Sequence, residues 1–204
     1  MKRTQERRKR DREGIVEGAA HTLERGWSAV RGAMAASDTD ALALLRAQHA
    51  NVETLFSQFE RVVERDRRRA VALVHELDEA LTMHAEIEEK IFYPAVRVPK
   101  TEDLVAESFE EHRQMKRALA DAVAAARGDD GDDLAAAVSA LKEDVIHHAK
   151  EEEEAKLFPI VRSLLDEDQR EALGQQMVAA MVEMQERGGV SIRSSSQRGQ
   201  HAST

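Results

Sequence analysis

Apolar residues in the middle of this chain recur in alternating steps of three and four, the spacing that keeps side chains on one face of an α-helix. From Asp40 to about Arg65 that face holds Leu42, Leu45, Val52, Phe56, Phe59 and Val63, with Ser37 or Asp38 placed to cap its start. A basic turn, RDRRR, follows. A second helix, from about Arg68 to Tyr93, gathers Val74, Leu77, Leu81 and Ile91, and Pro94 and Pro99 are expected to end it. Thr101 is positioned to cap a third helix, which has Glu102 and Asp103 in its first turn and carries Val105, Phe109, Met115, Leu119 and Val123. Gly128 marks its end, and the loop GDDGDD then offers an aspartate cap. The fourth helix runs from about Asp133 to Pro159 or a little beyond. A fifth opens at Asp166 with a D-x-x-Q capping pattern and reaches about Arg187.

Amphipathic helices joined by short loops pack best antiparallel. The expected fold class is therefore all-α: an up-down-up-down antiparallel four-helix bundle with an additional C-terminal helix and an N-terminal extension. Residues 1–36 form the basic extension, 37–187 the bundle and fifth helix, and 188–204 a polar tail expected to be disordered.

Composition narrows the chemistry. With zero cysteines, disulfides, thiolate zinc sites, cysteine-bound iron–sulfur clusters and a cysteine nucleophile are excluded. No apolar run approaches the roughly 18 residues of a membrane span, and no apolar stretch follows the basic N-terminus as a secretory signal requires. A cytoplasmic protein without membrane contact is expected. The formal net charge of −9 argues against a general nucleic-acid binder. Residues 1–12 carry seven Lys/Arg against two acids, so any nucleic-acid contact is expected to be non-specific and confined to that arm. The arm has no aromatic to stack on bases.

The polar residues on the apolar stripes carry the most information. The first stripe reads 42, 45, 49, 52, 56, 59, and position 49 is His49. The second reads 74, 77, 81, 84, 88, 91, placing His84 and Glu88 inward. His112 lies between Phe109 and Met115. The fourth reads 134, 138, 141, 145, 148, 152, ending in His148 and Glu152. A step of four turns a helix by about 400°, so each His–Glu pair faces one way, roughly 6 Å apart along the axis.

One inward histidine is usually a hydrogen-bonded core residue. Six ionisable groups in one core are different, because a buried unpaired carboxylate costs several kcal/mol. Metal cations relieve that cost, since neutral imidazoles and carboxylates are their usual ligands. Four histidines and two glutamates exceed the needs of one ion, which predicts two metals bridged by Glu88 and Glu152 and capped by His49, His84, His112 and His148. Nitrogen and oxygen donors without sulfur suit iron or manganese, and zinc is compatible. A solvent-derived oxo or hydroxo bridge would offset part of the positive charge.

His49, H84-x-x-x-E88, His112 and H148-x-x-x-E152, with the flanking FYP and LFP, resemble the hemerythrin-like HHE cation-binding family. The resemblance covers about residues 40–187. It implies a bundle holding a non-haem di-iron centre that meets dioxygen, peroxide or nitric oxide. Where the oxygen carriers of that family have a second third-helix histidine, this chain has Lys116, and where they have a fourth-helix aspartate it has Glu152. The pattern is similar to the bacterial and regulatory branch, some of whose members resemble catalases or iron and oxygen sensors. In this chain Glu88 precedes Pro94 by six residues, whereas Glu152 precedes Pro159 by seven; a one-residue bulge after Glu152 would reconcile the two.

His147 with Glu151 forms a competing pair about 100° around the fourth helix. Glu53 is a further carboxylate four residues after His49; Glu89, Glu153 and Glu154 are expected to be solvated or to support the ligands, and His75 to lie on the surface. Tyr93, nine residues after His84, falls almost opposite it on an ideal helix. A ferritin-like site needs ExxH, and the places three before the inward histidines hold Arg46, Leu81, Phe109 and Val145. The expected function is therefore a di-iron protein that binds or turns over a small oxidant, with peroxide disproportionation as a possible enzymatic outcome. The alternatives are an iron- or oxygen-sensing module without turnover and a structural zinc bundle.

Overall fold

The computed structural model describes residues 40–128 and 130–198, with side chains to residue 187. Helix α1 spans Ala41–Val62 and α2 spans Arg67–Ile87. A π-helical segment, Glu88–Phe92, leads from α2 into a short α3, Tyr93–Val96. Helix α4 is Glu102–Arg127 and α5 is Gly131–Ile146. A longer π-helical segment, His147–Leu157, then passes into α6, Phe158–Leu164, and α7 is Glu167–Arg198. No strand occurs among the described residues, and no described helix is long and apolar enough to cross a membrane.

Each bundle rod touches its chain neighbours, and the first also meets the fourth, which closes the ring. The short connections force alternate rods to run antiparallel. Helix α7 lies across α1 and α2. Local capping fixes where the rods begin. Asp40, rather than Ser37 or Asp38, caps α1: its Oδ1 accepts from the Leu42 and Ala43 amides at 2.8 and 3.2 Å. Ser37 and Asp38 lie outside the described residues. Asp66 caps α2 and Asp130 caps α5. Thr101 precedes α4 as expected, but its hydroxyl donates back to the Val96 carbonyl at 2.6 Å instead of capping the helix. The Asp166–Gln169 box forms reciprocally at 2.9 and 3.0 Å. The α7 backbone continues past Arg187 to Arg198, into the segment expected to be a disordered tail. The basic arm, residues 1–12, lies outside the described residues.

Pro94 and Pro159 do not end their helices. Proline has no N–H and its ring collides with the carbonyl four residues back in a regular α-helix. Here the turn before each proline is widened to π. The Tyr93 amide bonds to the Glu88 carbonyl and the Phe158 amide to the Glu153 carbonyl, both five residues back. Each proline then falls in the first turn of a fresh α-helical piece, where no N–H is needed.

Two apolar clusters fill the bundle. One is built around Phe56, Phe59, Leu73, Leu77, Leu119, Leu134 and Leu141. The other contains Leu42, Leu45, Phe92, Tyr93, Phe158, Met177 and Met181, and α7 completes it. His49, His84, Glu88, His112, His148 and Glu153 are buried as well.

Candidate metal centre

Five of the six predicted residues converge: His49 from α1, His84 and Glu88 from α2 and its π-helical extension, His112 from α4 and His148 from the long π-helical segment. Glu152 does not join them. Its place is taken by Glu153, fully buried, whereas the Glu152 carboxylate turns toward Lys156 and His147. The π-helical segment explains the exchange, since a wider turn brings the residue five positions after His148, not four, onto its face. The bulge expected after Glu152 thus begins before it. Glu153 precedes Pro159 by six residues, as Glu88 precedes Pro94, so the equal glutamate–proline spacing was the available signal.

The donor atoms form two groups that share Glu88. One is His49, His84, Glu88 and Glu153; the other is Glu88, His112 and His148. Glu88 Oε2 lies 3.1 Å from His84 Nε2 and 3.3 Å from His112 Nε2. Glu153 Oε2 lies 3.3 Å from His49 Nε2 and 3.8 Å from His148 Nε2. The His112 and His148 Nε2 atoms approach to 3.1 Å.

Each imidazole is oriented from behind. His49 Nδ1 pairs with Glu154 at 2.8 Å, His84 Nδ1 with Gln48 at 2.9 Å, His112 Nδ1 with Glu89 at 2.9 Å and His148 Nδ1 with Glu111 at 2.8 Å. With the proton on Nδ1 donated to these oxygens, all four Nε2 lone pairs point into the cluster. The supports are themselves held. Gln48 donates its amide to the Met181 sulfur of α7 at 3.5 Å, which turns its oxygen toward His84. Lys116 holds Glu89 at 2.6 Å, and Lys150 holds Glu154 at 2.9 Å. Lys116 therefore supports His112 from outside the cluster.

Tyr93 also enters the site, against the expectation that it faces away from His84. The extra residue in the π turn swings it inward, and its hydroxyl donates to Glu153 Oε1 at 3.0 Å, with His112 Nε2 at 3.3 Å. The remaining residues fall largely as anticipated. His75 is exposed, Glu89 and Glu154 stand behind the His112 and His49 rings, Glu53 pairs with Lys150 at 2.7 Å, and the His147–Glu151 pair lies at the surface.

Burial and mutual charge divide the acids and bases. Burial, reinforced by Glu153, pushes the Glu88 pKa well above the usual carboxylate range. Burial works in the same direction on Glu153, but His148 and His49 outweigh it and hold that carboxyl low. His84 is driven well down by burial and then by His49. For His49 burial opposes protonation, and Glu153 overcomes it, so its pKa is raised. Even so, His49 Nε2, Glu88 Oε1 and Glu153 Oε2 are buried with no hydrogen-bond partner. Orphaned buried acceptors cost on the order of 1–3 kcal/mol each, more when charged. A cation among them satisfies all three, so the donor set fits a metal.

The family model for the Hemerythrin HHE cation binding domain matches residues 40–161. The chain belongs to this family. The hemerythrin match reaches into all four bundle rods and covers every member of the cluster, including Glu153. A relative from Nostoc sp. (strain PCC 7120 / SAG 25.82 / UTEX 2576), named DNA nickase, is 28% identical over 192 residues, a match covering 86% of this chain and 53% of the relative. The chain thus spans about half the length of that protein. No solved structure matched.

Proposed function

We propose that this hemerythrin-family chain holds two iron ions and binds or turns over a small oxidant, whether peroxide, dioxygen or nitric oxide. The observation that carries this reading is the inward convergence of four Nε2 atoms whose Nδ1 atoms are all pinned outward. Bound iron would supply the electrons and Lewis acidity for oxidant chemistry, including peroxide disproportionation.

The chain's own residues set the terms of that chemistry. Glu88 is common to both donor groups and is suited to be shared by two ions, with Glu153 as the second carboxylate. His49 and His84 would cap one ion, and His112 and His148 the other. Tyr93 keeps its proton, because burial and then the Glu153 and Glu88 charges push its pKa well above the usual value, and it delivers that proton as a hydrogen bond to Glu153. Beside the cluster, a narrow cavity reaches His49, His84 and His148 between Val52, Leu81, Met115 and Val145. It has room for about one water-sized molecule, the scale of the proposed oxidants.

The same enclosure bears on the name of the relative. Donor atoms this deeply buried are out of reach of a nucleic-acid backbone, so a nickase activity is not carried over to this cluster. A sensing role without turnover has one observation in its favour: the line His84–Gln48–Met181 joins the cluster to α7, so metal status could set how firmly α7 docks. Elemental analysis and an optical spectrum of the natively purified chain test the main reading. Iron at about two equivalents, with a charge-transfer band altered by azide or peroxide, is expected. Protein that takes up no iron with all six residues intact refutes it, zinc alone favours the structural alternative, and iron without sustained oxygen release from peroxide favours sensing.

A further inference from the structure

The narrow cavity beside the cluster has a wall residue with chemistry of its own. Met115 of α4 lines it together with His49, His84 and His148, and Val52 and Val145 supply part of its apolar surface. Met115 is 7% exposed and belongs to the same apolar cluster as both valines. Apart from the imidazoles, its thioether is the one readily oxidised group among the lining side chains. Half-buried Glu53 and Ile146 also line the cavity, so it extends toward solvent. A thioether needs no deprotonation to react, so access rather than charge decides which methionine is oxidised.

We propose that Met115 is a site of oxidative modification, converted to the sulfoxide by hydrogen peroxide admitted to this cavity. The sulfur lone pair attacks one peroxide oxygen. The O–O bond breaks as the S–O bond forms, and the second oxygen leaves with both hydrogens as water. Sulfur loses two electrons and the peroxide gains them, so the step needs no further reductant. It rests on the cavity and on peroxide entering it, not on which ions the inner cluster holds.

The modification has a structural consequence. A sulfoxide is polar where a thioether is not. Its oxygen would stand in a cluster built from Val52, Leu81, Leu119 and Val145. Met115 also lies one turn after His112 on α4, so a change in packing there bears on a rod that carries an inner donor. Oxidation thus marks the chain at a place where the bundle registers it.

The other described methionines provide internal references. Met83 and Met184 are half-buried, whereas Met177 and Met181 are fully buried. The full chain, as purified, is exposed to limiting hydrogen peroxide, and each methionine is followed by peptide mass spectrometry. Met115 is expected to gain about 16 Da, one oxygen, at least as fast as Met83 and Met184 despite its deeper burial. The bulky tert-butyl hydroperoxide should spare Met115 while still oxidising those two. Val145→Ile adds one methylene, about the size of the space available, and should remove most of the gain at Met115 while leaving Met83 and Met184 unchanged. Val52→Ile serves the same purpose from α1 should the first variant fail to fold, and helical circular dichroism decides which is used. Met115 lagging behind Met83 and Met184 overturns the proposal, because exposure alone would then set the order. Equal oxidation of Met115 by both hydroperoxides, or no protection in the filled-cavity variant, overturns it as well, since the reagent would then reach the sulfur by opening of the bundle. Because every comparison is made between methionines of one molecule, the result does not depend on how much peroxide the inner metals consume.

Discussion

His148 and Glu153 lie five residues apart and turn toward the same interior, with His148 Nε2 3.8 Å from Glu153 Oε2. On the second rod, His84 and Glu88 make the corresponding approach across four residues, at 3.1 Å. Two rods thus deliver like pairs through unlike spacings, and the π-helical turn absorbs the difference. Glu152, between them in sequence, is committed to the rim.

This separation gives a direct mutational contrast. Glu153→Gln should weaken inner-metal binding by more than about tenfold, since it removes a charged donor where even supporting residues are worth that much. Glu152→Gln should leave the inner metal in place. Elemental analysis after dialysis against a weak chelator distinguishes them, and equal retention in both variants would contradict the geometry.

Much of this was legible in the sequence because burial and helical period carry it. The stripes containing His49, His84, Glu88, His112 and His148 follow a 3.6-residue repeat, and those residues are indeed buried together. Glu152 and Tyr93 were misplaced for one shared reason. Both positions lie beyond the start of a widened turn, where the repeat no longer holds. The Glu–Pro spacing of six in FYP and LFP contexts encodes that widening, but it is a backbone signal that apolar periodicity does not read. The supports behind the rings were hidden differently: Gln48–Met181 and Lys116–Glu89 link residues far apart in sequence, and only packing brings them together.

Gln48 has no predicted role on the α1 stripe, yet it fixes the His84 ring. Gln48→Ala removes the acceptor for His84 Nδ1 and the contact with Met181 while leaving every inner donor in place. Metal affinity should fall by about 10- to 100-fold, with a small change in the melting temperature of the metal-free protein. Competition with a chromophoric chelator measures the first quantity and thermal unfolding the second.

Tyr93→Phe keeps the ring, which packs on Phe92 and Phe109, and deletes only the hydroxyl. Glu153 Oε1 then loses its donor in a fully buried position. In the metal-free protein this should cost about 1–3 kcal/mol, read by denaturant unfolding. Metal should restore most of the loss, because a cation satisfies the same carboxylate. A variant equally destabilised with and without metal would show that Tyr93 acts through packing alone.

Asp40 offers a test remote from the centre. It caps α1 and also accepts from Arg170 Nε at 2.6 Å, while Arg170 Nη1 reaches the Leu165 carbonyl at 2.8 Å, so one carboxylate ties the first rod to α7. Burial opposes its ionisation, but the Arg170 and amide hydrogen bonds prevail and lower its pKa below 3.8. A group with a depressed folded pKa contributes stability above its unfolded value, and that contribution drains away as pH falls through the folded value. Asp40→Ala should therefore destabilise the chain by about 1 kcal/mol at neutral pH, the usual size of a lost cap. The difference from wild type should shrink only below about pH 3.8, the ordinary aspartate value, as the wild-type carboxyl takes up its proton. Paired unfolding curves from pH 7 to pH 3 check both the size and the sign, and a gap that widens on acidification would rule out the ionised cap as its cause.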